Sequence, residues 1–186
     1  DEAWSLTARP GCLRLKTARV VDNLFVAPNT LTQRMVGPSC SASVCIDLKG
    51  MKNGDRTGFA AYNGDSGVLT VEKNKGKKEL VMSEQYSVFG DNQGVKVIKE
   101  VKTKEMVRIP LKSNRIYLRI DGEFGLGKDW ATFFYSLDGK QWNQIGEPVK
   151  MVFDYRRMFM GSKYAVFNYA TKKLGGYVDV ESFEYK

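Results

Sequence analysis

The chain has 186 residues, and 29 Lys and Arg against 21 Asp and Glu give it a net charge of +8. Hydrophobic residues make up 42% of the chain, which is enough for a packed core and excludes a disordered protein. No apolar run approaches the roughly 20 residues of a membrane-spanning helix, so we expect no membrane partner. Histidine is absent, which excludes Ser-His-Asp and Cys-His catalysis and His-ligated metal sites.

Short strands separated by turns are predicted along the whole chain. The clearest alternation places Ile116, Leu118 and Ile120 on one strand face, and Asp138-Gly139 predicts a hairpin. The predicted strands are 12–16, 32–35, 42–48, 57–62, 68–72, 78–83, 95–101, 106–110, 115–121, 132–137, 141–145, 164–168 and 176–185. With no amphipathic helix longer than two turns, this pattern predicts an all-β fold, a two-sheet antiparallel β-sandwich of jelly-roll type, in a single domain over 1–186.

The densest basic stretch, Lys-Asn-Lys-Gly-Lys-Lys at 73–78, lies between two apolar runs. In a strand-rich protein such a stretch is typical of a solvated hairpin tip. No RNA-recognition, zinc-finger or helix-turn-helix pattern accompanies it, so we expect no nucleic-acid partner.

The three cysteines, Cys12, Cys40 and Cys45, form no Cys-x-x-Cys pair. Cys40 and Cys45 are five positions apart, which on one strand is too far for a disulfide, because bridged Cα atoms lie within about 7 Å. We expect three unpaired thiols.

Three aspartates, Asp47, Asp121 and Asp179, lie inside or at the ends of predicted strands. We rank turn capping first among their roles, a Ca²⁺ site second and catalysis third. No EF-hand-like calcium loop supports the second role, so we expect no cofactor, with Ca²⁺ the one candidate that lacks a motif.

Aromatic side chains beside polar groups are what sugar binding uses, because a flat ring stacks on the apolar face of a sugar while polar groups bond its hydroxyls. The candidates in loop-like contexts are Trp130, Trp142, Tyr155, Phe159, Tyr62 and Tyr169. Of these, Trp130, Tyr155 and Phe159 lie next to charged residues and outside clean alternation. For aromatics on alternating positions, such as Phe133, Tyr135 and Phe167, we expect core positions instead.

Several longer motifs follow one another along nearly the whole chain. They are Trp-Ser-Leu-Thr-Ala-Arg-Pro-Gly at 4–11, Met-Lys-Asn-Gly-Asp at 51–55, Gly-Phe-Ala-Ala-Tyr at 58–62, Phe-Tyr-Ser-Leu-Asp-Gly at 134–139 and Phe-Asn-Tyr-Ala-Thr-Lys at 167–172. In this order they resemble the C-terminal concanavalin A-like sandwich of family 43 glycoside hydrolases. That family comprises β-xylosidases and α-L-arabinofuranosidases.

The resemblance implies an accessory domain, because the family's catalytic carboxylates lie on a five-bladed propeller and nothing here resembles one. We therefore expect a chain that is not catalytic alone, excised from a longer enzyme acting on plant arabinoxylan or arabinan. Its partner is the upstream propeller, whose sugar pocket it helps to shape. Such enzymes are usually periplasmic or secreted. The tail departs from the family pattern at Val180 and Glu181, which puts in doubt any cation site that used the second acid.

Two other functions remain open on the sequence alone. One is a stand-alone carbohydrate-binding module for xylo- or arabino-oligosaccharides, which requires an open aromatic platform such as Trp130. The other is an enzyme that uses its own scattered acids, which the missing propeller and histidine make the weakest of the three.

Four residues form the predicted site. Phe159 best matches a family loop that closes the propeller's sugar pocket, so its role is implied by the resemblance. Tyr155 and Arg156 beside it, and Trp130, are chosen for their chemistry. The stretch 151–160 is rich in aromatics, Met and Arg, residues enriched at interfaces, and we expect it to form a docking face.

Overall fold

The computed structural model describes residues 3–154 and 160–186. These residues form short strands, because β-branched and aromatic residues alternate with polar ones between Gly- and Asn-containing turns. The strands are β1 (Trp4–Ser5), β2 (Leu13–Lys16), β3 (Thr30–Arg34), β4 (Ser39–Asp47), β5 (Asp55–Tyr62), β6 (Asp65–Asn74), β7 (Lys77–Asn92), β8 (Val95–Leu111), β9 (Arg115–Glu123), β10 (Trp130–Ser136), β11 (Asn143–Gln144), β12 (Val149–Lys150), β13 (Lys163–Ala170) and β14 (Tyr177–Tyr185).

Two antiparallel sheets pack face to face, which confirms the predicted sandwich. The eight-stranded sheet has the order β1-β2-β14-β4-β9-β10-β11, with β12 paired to β10. The six-stranded sheet has the order β3-β13-β5-β6-β7-β8. In the described part of the chain the helical content is one short 3₁₀ turn, Leu24–Val26.

The core lies between the sheets, where alternate residues of each strand are buried. Ile116, Leu118 and Ile120 of β9 face it as predicted. Phe133 and Phe167 are also buried as expected, whereas Tyr135 is only partly buried and packs against the core. Phe167 belongs to a second cluster, on the outer face of the six-stranded sheet, which the 3₁₀ turn covers with Leu24.

The hairpin of β7 and β8 is longer than the sequence predicts. The alternation predicts strands over 78–83 and in two pieces, 95–101 and 106–110, but β7 has 16 residues and β8 has 17. A β-bulge opposite Met82 and Ser83 lets β8 stay paired with β7 where the alternation of its own side chains breaks. One bent strand, β8, therefore replaces the two predicted pieces. The turn of the hairpin is at Gln93-Gly94, where both residues have positive φ.

Two predicted turns are confirmed. The basic stretch forms the β6–β7 hairpin tip, where Lys75 and Gly76 both have positive φ. Asp138-Gly139 joins β10 to β11, and the Asp138 carboxylate accepts backbone N–H bonds from Lys140 and Gln141. The sequence prediction missed the two-residue strands β1 and β12, which are too short to show a period.

All three cysteines are free thiols as expected, and Cys40 lies on the same strand as Cys45 because β4 begins at Ser39, before the predicted strand. Their odd spacing turns them to opposite faces. Cys40 faces the core and accepts a hydrogen bond from the Tyr164 hydroxyl (3.1 Å). Cys45, on the outer face, donates to Glu181 Oε2 (3.3 Å), and burial together with this bond raises the pKa of its thiol to about 11.

We predict that alkylation without reductant labels all three cysteines in denaturant but only Cys12 rapidly in the folded protein at pH 8. Cys12 is partly exposed, whereas Cys40 is buried and Cys45 is both buried and held protonated. Mass spectrometry after timed alkylation measures the labels. A single label in denaturant would show a disulfide and contradict the prediction.

The close approach of Phe133 to Gly67 gives a second prediction. A Cβ added at Gly67 would lie 2.2 Å from Phe133 Cζ, and the Phe133 ring is fully buried between the sheets. Gly67→Ala should therefore lower the free energy of unfolding by about 1–3 kcal/mol, the usual cost of overpacking a core. Urea denaturation measures it.

Gly161→Ala is the matched control, because a Cβ there meets none of the described residues within 4 Å and its backbone is not left-handed. Its unfolding midpoint should stay within error of the unsubstituted chain. Equal midpoints for the Gly67 and Gly161 variants would show that the ring moves aside without cost.

Candidate functional site

Three loops meet at one end of the sandwich and are tied together by backbone hydrogen bonds. They are 35–38 between β3 and β4, 124–129 between β9 and β10, and the stretch that follows β12. The bonds are Phe124 N to Pro38 O (2.7 Å), Met151 N to Asp129 O (2.7 Å) and Met35 N to Ser162 O (3.0 Å). We call residues 35–38, 124–130, 151–154 and 160–162 the loop end.

Five large apolar side chains of the loop end are exposed to solvent. Leu126 is fully exposed, Phe153 is 55% exposed, and Val36, Trp130 and Val152 are each more than 40% exposed. Clustered exposed apolar side chains of this kind mark interaction surfaces. The described half of the expected docking stretch therefore contributes Val152 and Phe153 to an exposed surface, while Met151 turns into the core.

Trp130 is positioned by two strands. It begins β10, with Glu123 of β9 and Lys150 of β12 as its neighbours across the sheet. The Lys150 ammonium lies 5.0 Å from the centre of the indole, a cation–π contact. Trp130 is thus exposed, as its predicted role requires, but a cation lies against its ring.

The other three predicted site residues, Tyr155, Arg156 and Phe159, lie outside the described residues and stay predictions. Leu126 and Val36 were missed by the sequence analysis. The sequence does contain a signal for an exposed Leu126, because this residue stands between two glycines in a loop, where an apolar side chain has no strand to pack against.

The strand aspartates are held by arginines rather than gathered for catalysis. Asp47 and Asp179 are direct neighbours across β4 and β14. Arg9 donates to Asp47 (3.0 Å), and Arg14 makes two bonds to Asp179, of 2.8 and 2.9 Å. Asp47 also caps the following turn by accepting from Lys49 N (2.9 Å), the role ranked first from the sequence.

Glu181, at a bulge in β14, completes this ion-pair cluster. It accepts from Arg9 Nη2 (2.7 Å) and pairs with Arg115 Nε (2.7 Å). Burial raises the pKa of Glu181, but the bonds from Arg115, Cys45 and Arg9 outweigh burial and lower it. The acid that departs from the family pattern therefore takes part in ion pairs.

Asp121 lies further along the same sheet face. Its Oδ1 accepts from the Ser41 hydroxyl (2.6 Å) and lies 3.2 Å from Arg119 Nε. In the described residues no group of three or more His, Cys, Asp and Glu is arranged to hold a metal ion. The described chain also has no helix long and apolar enough to cross a membrane.

The comparison with known proteins agrees with this architecture. The family model for the β-xylosidase C-terminal concanavalin A-like domain matches residues 1–186. The chain belongs to this family. The sequence-based resemblance and its sandwich fold are thereby confirmed.

Relatives of the chain are parts of longer proteins. A β-xylosidase of Formosa agariphila is 28% identical over 204 residues, covering 98% of this chain but 31% of that protein. The bifunctional GH43-CE protein of Bacteroides eggerthii is 38% identical with a TM-score of 0.85, covering all of this chain and 22% of its own. An engineered GH43 enzyme with endo-xylanase and exo-arabinofuranosidase activity is 28% identical with a TM-score of 0.87, covering all of this chain and 36% of its own. This chain spans about a third or less of those proteins.

The Arg14–Asp179 pair gives a prediction for stability against pH. The bonds from Arg14 lower the pKa of Asp179, so its charge stabilises the fold at any pH above the unfolded value near 4, and this is lost as pH falls through the folded value. Asp179→Asn should cost about 1–3 kcal/mol at pH 7, because two charge-assisted bonds are weakened. The difference from the unsubstituted chain should shrink below about pH 4.

Urea denaturation at pH 7, 5 and 3 measures this difference. Asp129→Asn, at an exposed aspartate, is the matched control and should change stability little. An Asp179→Asn deficit that is as large at pH 3 as at pH 7 would show that packing, not charge, is responsible.

Proposed function

We propose that this chain is an accessory domain of a family 43 glycoside hydrolase that acts on plant arabinoxylan or arabinan, and that it packs on the enzyme's catalytic propeller. The observation that carries the proposal is the family match over the whole chain, combined with relatives of which this chain covers 31%, 22% and 36%. Relatives named as β-xylosidase and as an exo-arabinofuranosidase support the substrate class.

The loop end is the surface proposed to contact the propeller. Its apolar side chains, Leu126 and Phe153 among them, are exposed although three backbone bonds order the loops. Ordered loops with exposed apolar side chains suit a partner that is always present, since the surface needs no rearrangement to dock.

The predicted sugar contacts belong to the same proposal. In the sequence, Tyr155, Arg156 and Phe159 belong to the stretch that directly follows Asp154 of the loop end. We propose that Phe159 borders the propeller's sugar pocket, with Tyr155 and Arg156 beside it. The location proposed for the whole enzyme is periplasmic or secreted, as for other enzymes that trim plant polymers.

Four acids on the outer face of the eight-stranded sheet support a non-catalytic role for this chain by itself. Asp47, Asp179 and Glu181 are neutralised in ion pairs, and Asp121 is held by Ser41 and Arg119. A glycosidase needs one carboxyl group with a raised pKa to act as an acid, whereas Asp179 and Glu181 have lowered values. We expect no turnover of aryl xylosides or aryl arabinofuranosides by the isolated chain, and hydrolysis would contradict this.

A chimaera tests the docking surface. This chain replaces the matching part of the Bacteroides eggerthii protein, and calorimetry follows the unfolding of the joined GH43 domain. We expect it to melt higher than the same GH43 domain alone. Leu126→Asp should lower that melting temperature by about 2–4 °C for each kcal/mol by which the substitution weakens docking.

Leu174→Asp is the matched control, because Leu174 is also exposed but lies in the β13–β14 loop at the opposite end of the sandwich. It should leave the melting temperature of the GH43 domain unchanged. Independent melting of the two domains, or equal effects of the two substitutions, would overturn the docking surface.

A further inference from the structure

A polar groove runs along the outer face of the eight-stranded sheet, away from the tips of the loop end. Its floor is formed by the small side chains Ser41 and Ser43 of β4. Larger side chains rise on both sides, from β9 with Arg119 and from β14 with Glu184. The groove encloses about 430 Å³, within the size range of small-molecule sites.

One wall of this groove is aromatic. Trp142, in the β10–β11 connection, and Tyr117 of β9 both line it. The Tyr117 ring packs so closely over Gly139 that a Cβ there would lie 2.9 Å from it, which fixes the ring. Neither aromatic belongs to the core cluster, and Tyr117 lies on the strand face opposite to the buried Ile116 and Leu118.

Arg119 connects the aromatic wall to the polar floor. Its guanidinium lies 4.9 Å from the centre of the Trp142 ring and 4.2 Å from that of Phe134. Its Nε is 3.2 Å from Asp121 Oδ1, and the same oxygen accepts from Ser41. The polar groups of the groove are therefore held in place before any ligand arrives, which lowers the entropy cost of binding.

The charges of the groove indicate the class of ligand. Arg119 and Lys186 are balanced by Asp121 and Glu184, although the chain as a whole carries +8. A balanced groove with donors and acceptors side by side favours a neutral ligand with many hydroxyls over an anion or a cation. Rings fixed on one wall add a surface on which the apolar face of such a ligand can stack.

We propose that this groove binds a neutral oligosaccharide. A sugar ring stacks on Trp142 and Tyr117, and its hydroxyls bond to Asp121, Arg119 and Ser43. The site is independent of the proposed docking on a propeller, because it uses a sheet face rather than the tips of the loop end. It also differs from a platform at Trp130, which does not line the groove.

Titration of the isolated chain tests the site, with xylohexaose and arabinohexaose as probes and calorimetry and tryptophan fluorescence as readouts. We expect the chain to bind at least one of them. Trp142→Ala should weaken binding by at least about tenfold, as removal of an anchoring aromatic does, and should abolish the fluorescence change. Ser43→Tyr fills the floor without removing a core side chain and should weaken binding similarly.

Trp4→Ala is the matched control, because Trp4 is also an exposed tryptophan and lies outside the groove, and this variant should bind like the unsubstituted chain. Far-ultraviolet dichroism and the melting temperature verify that each variant folds. The proposal would be overturned if neither probe bound at a concentration on the order of 10 mM, at which even weak complexes form. Loss of binding in Trp130→Ala, with binding kept in Trp142→Ala and Ser43→Tyr, would also overturn it.

Discussion

Burial of one face of each sheet against the other is the constraint on which the surfaces of this protein depend. Side chains alternate along a strand, so the residues that fill the core fix which ones face outward. With Ile116, Leu118 and Ile120 in the core, Tyr117, Arg119 and Asp121 must lie together on the outside of β9. The proposed sugar groove is therefore a consequence of core packing, and a one-residue slip of β9 would erase it.

The ion-pair cluster and the groove lie on the same outer sheet face and share a border at Cys45. That thiol donates to Glu181, which Arg9 and Arg115 hold at the bulge of β14. The bulge shifts the register between Val180 and Ser182, and beyond it Glu184 pairs with Ser43 at the groove floor. Arg9 and Arg115 thus contact the bulge beyond which Glu184 lines the groove.

The two proposed binding surfaces differ in their chemistry. The loop end is apolar, is ordered by backbone bonds and presents Leu126 and Phe153. The groove is polar, is balanced in charge and is ordered by side-chain contacts through Arg119. The loop end and the groove have no residue in common. An accessory domain could therefore contact its catalytic partner through the loop end and a polymer through the groove.

The sequence by itself determined the sandwich, the buried face of β9 and the turns at Lys75-Gly76 and Asp138-Gly139, because these follow from local alternation and turn chemistry. It also singled out Trp130 as an exposed aromatic and Asp47 as a turn cap. Only the tertiary structure decided that Asp179 pairs with Arg14, 165 positions away, and that β7 and β8 form one long bent hairpin. It alone placed Trp142 beside Arg119 and Ser41 beside Asp121. Pairings between distant strands are set by sheet order and register, which no local pattern contains.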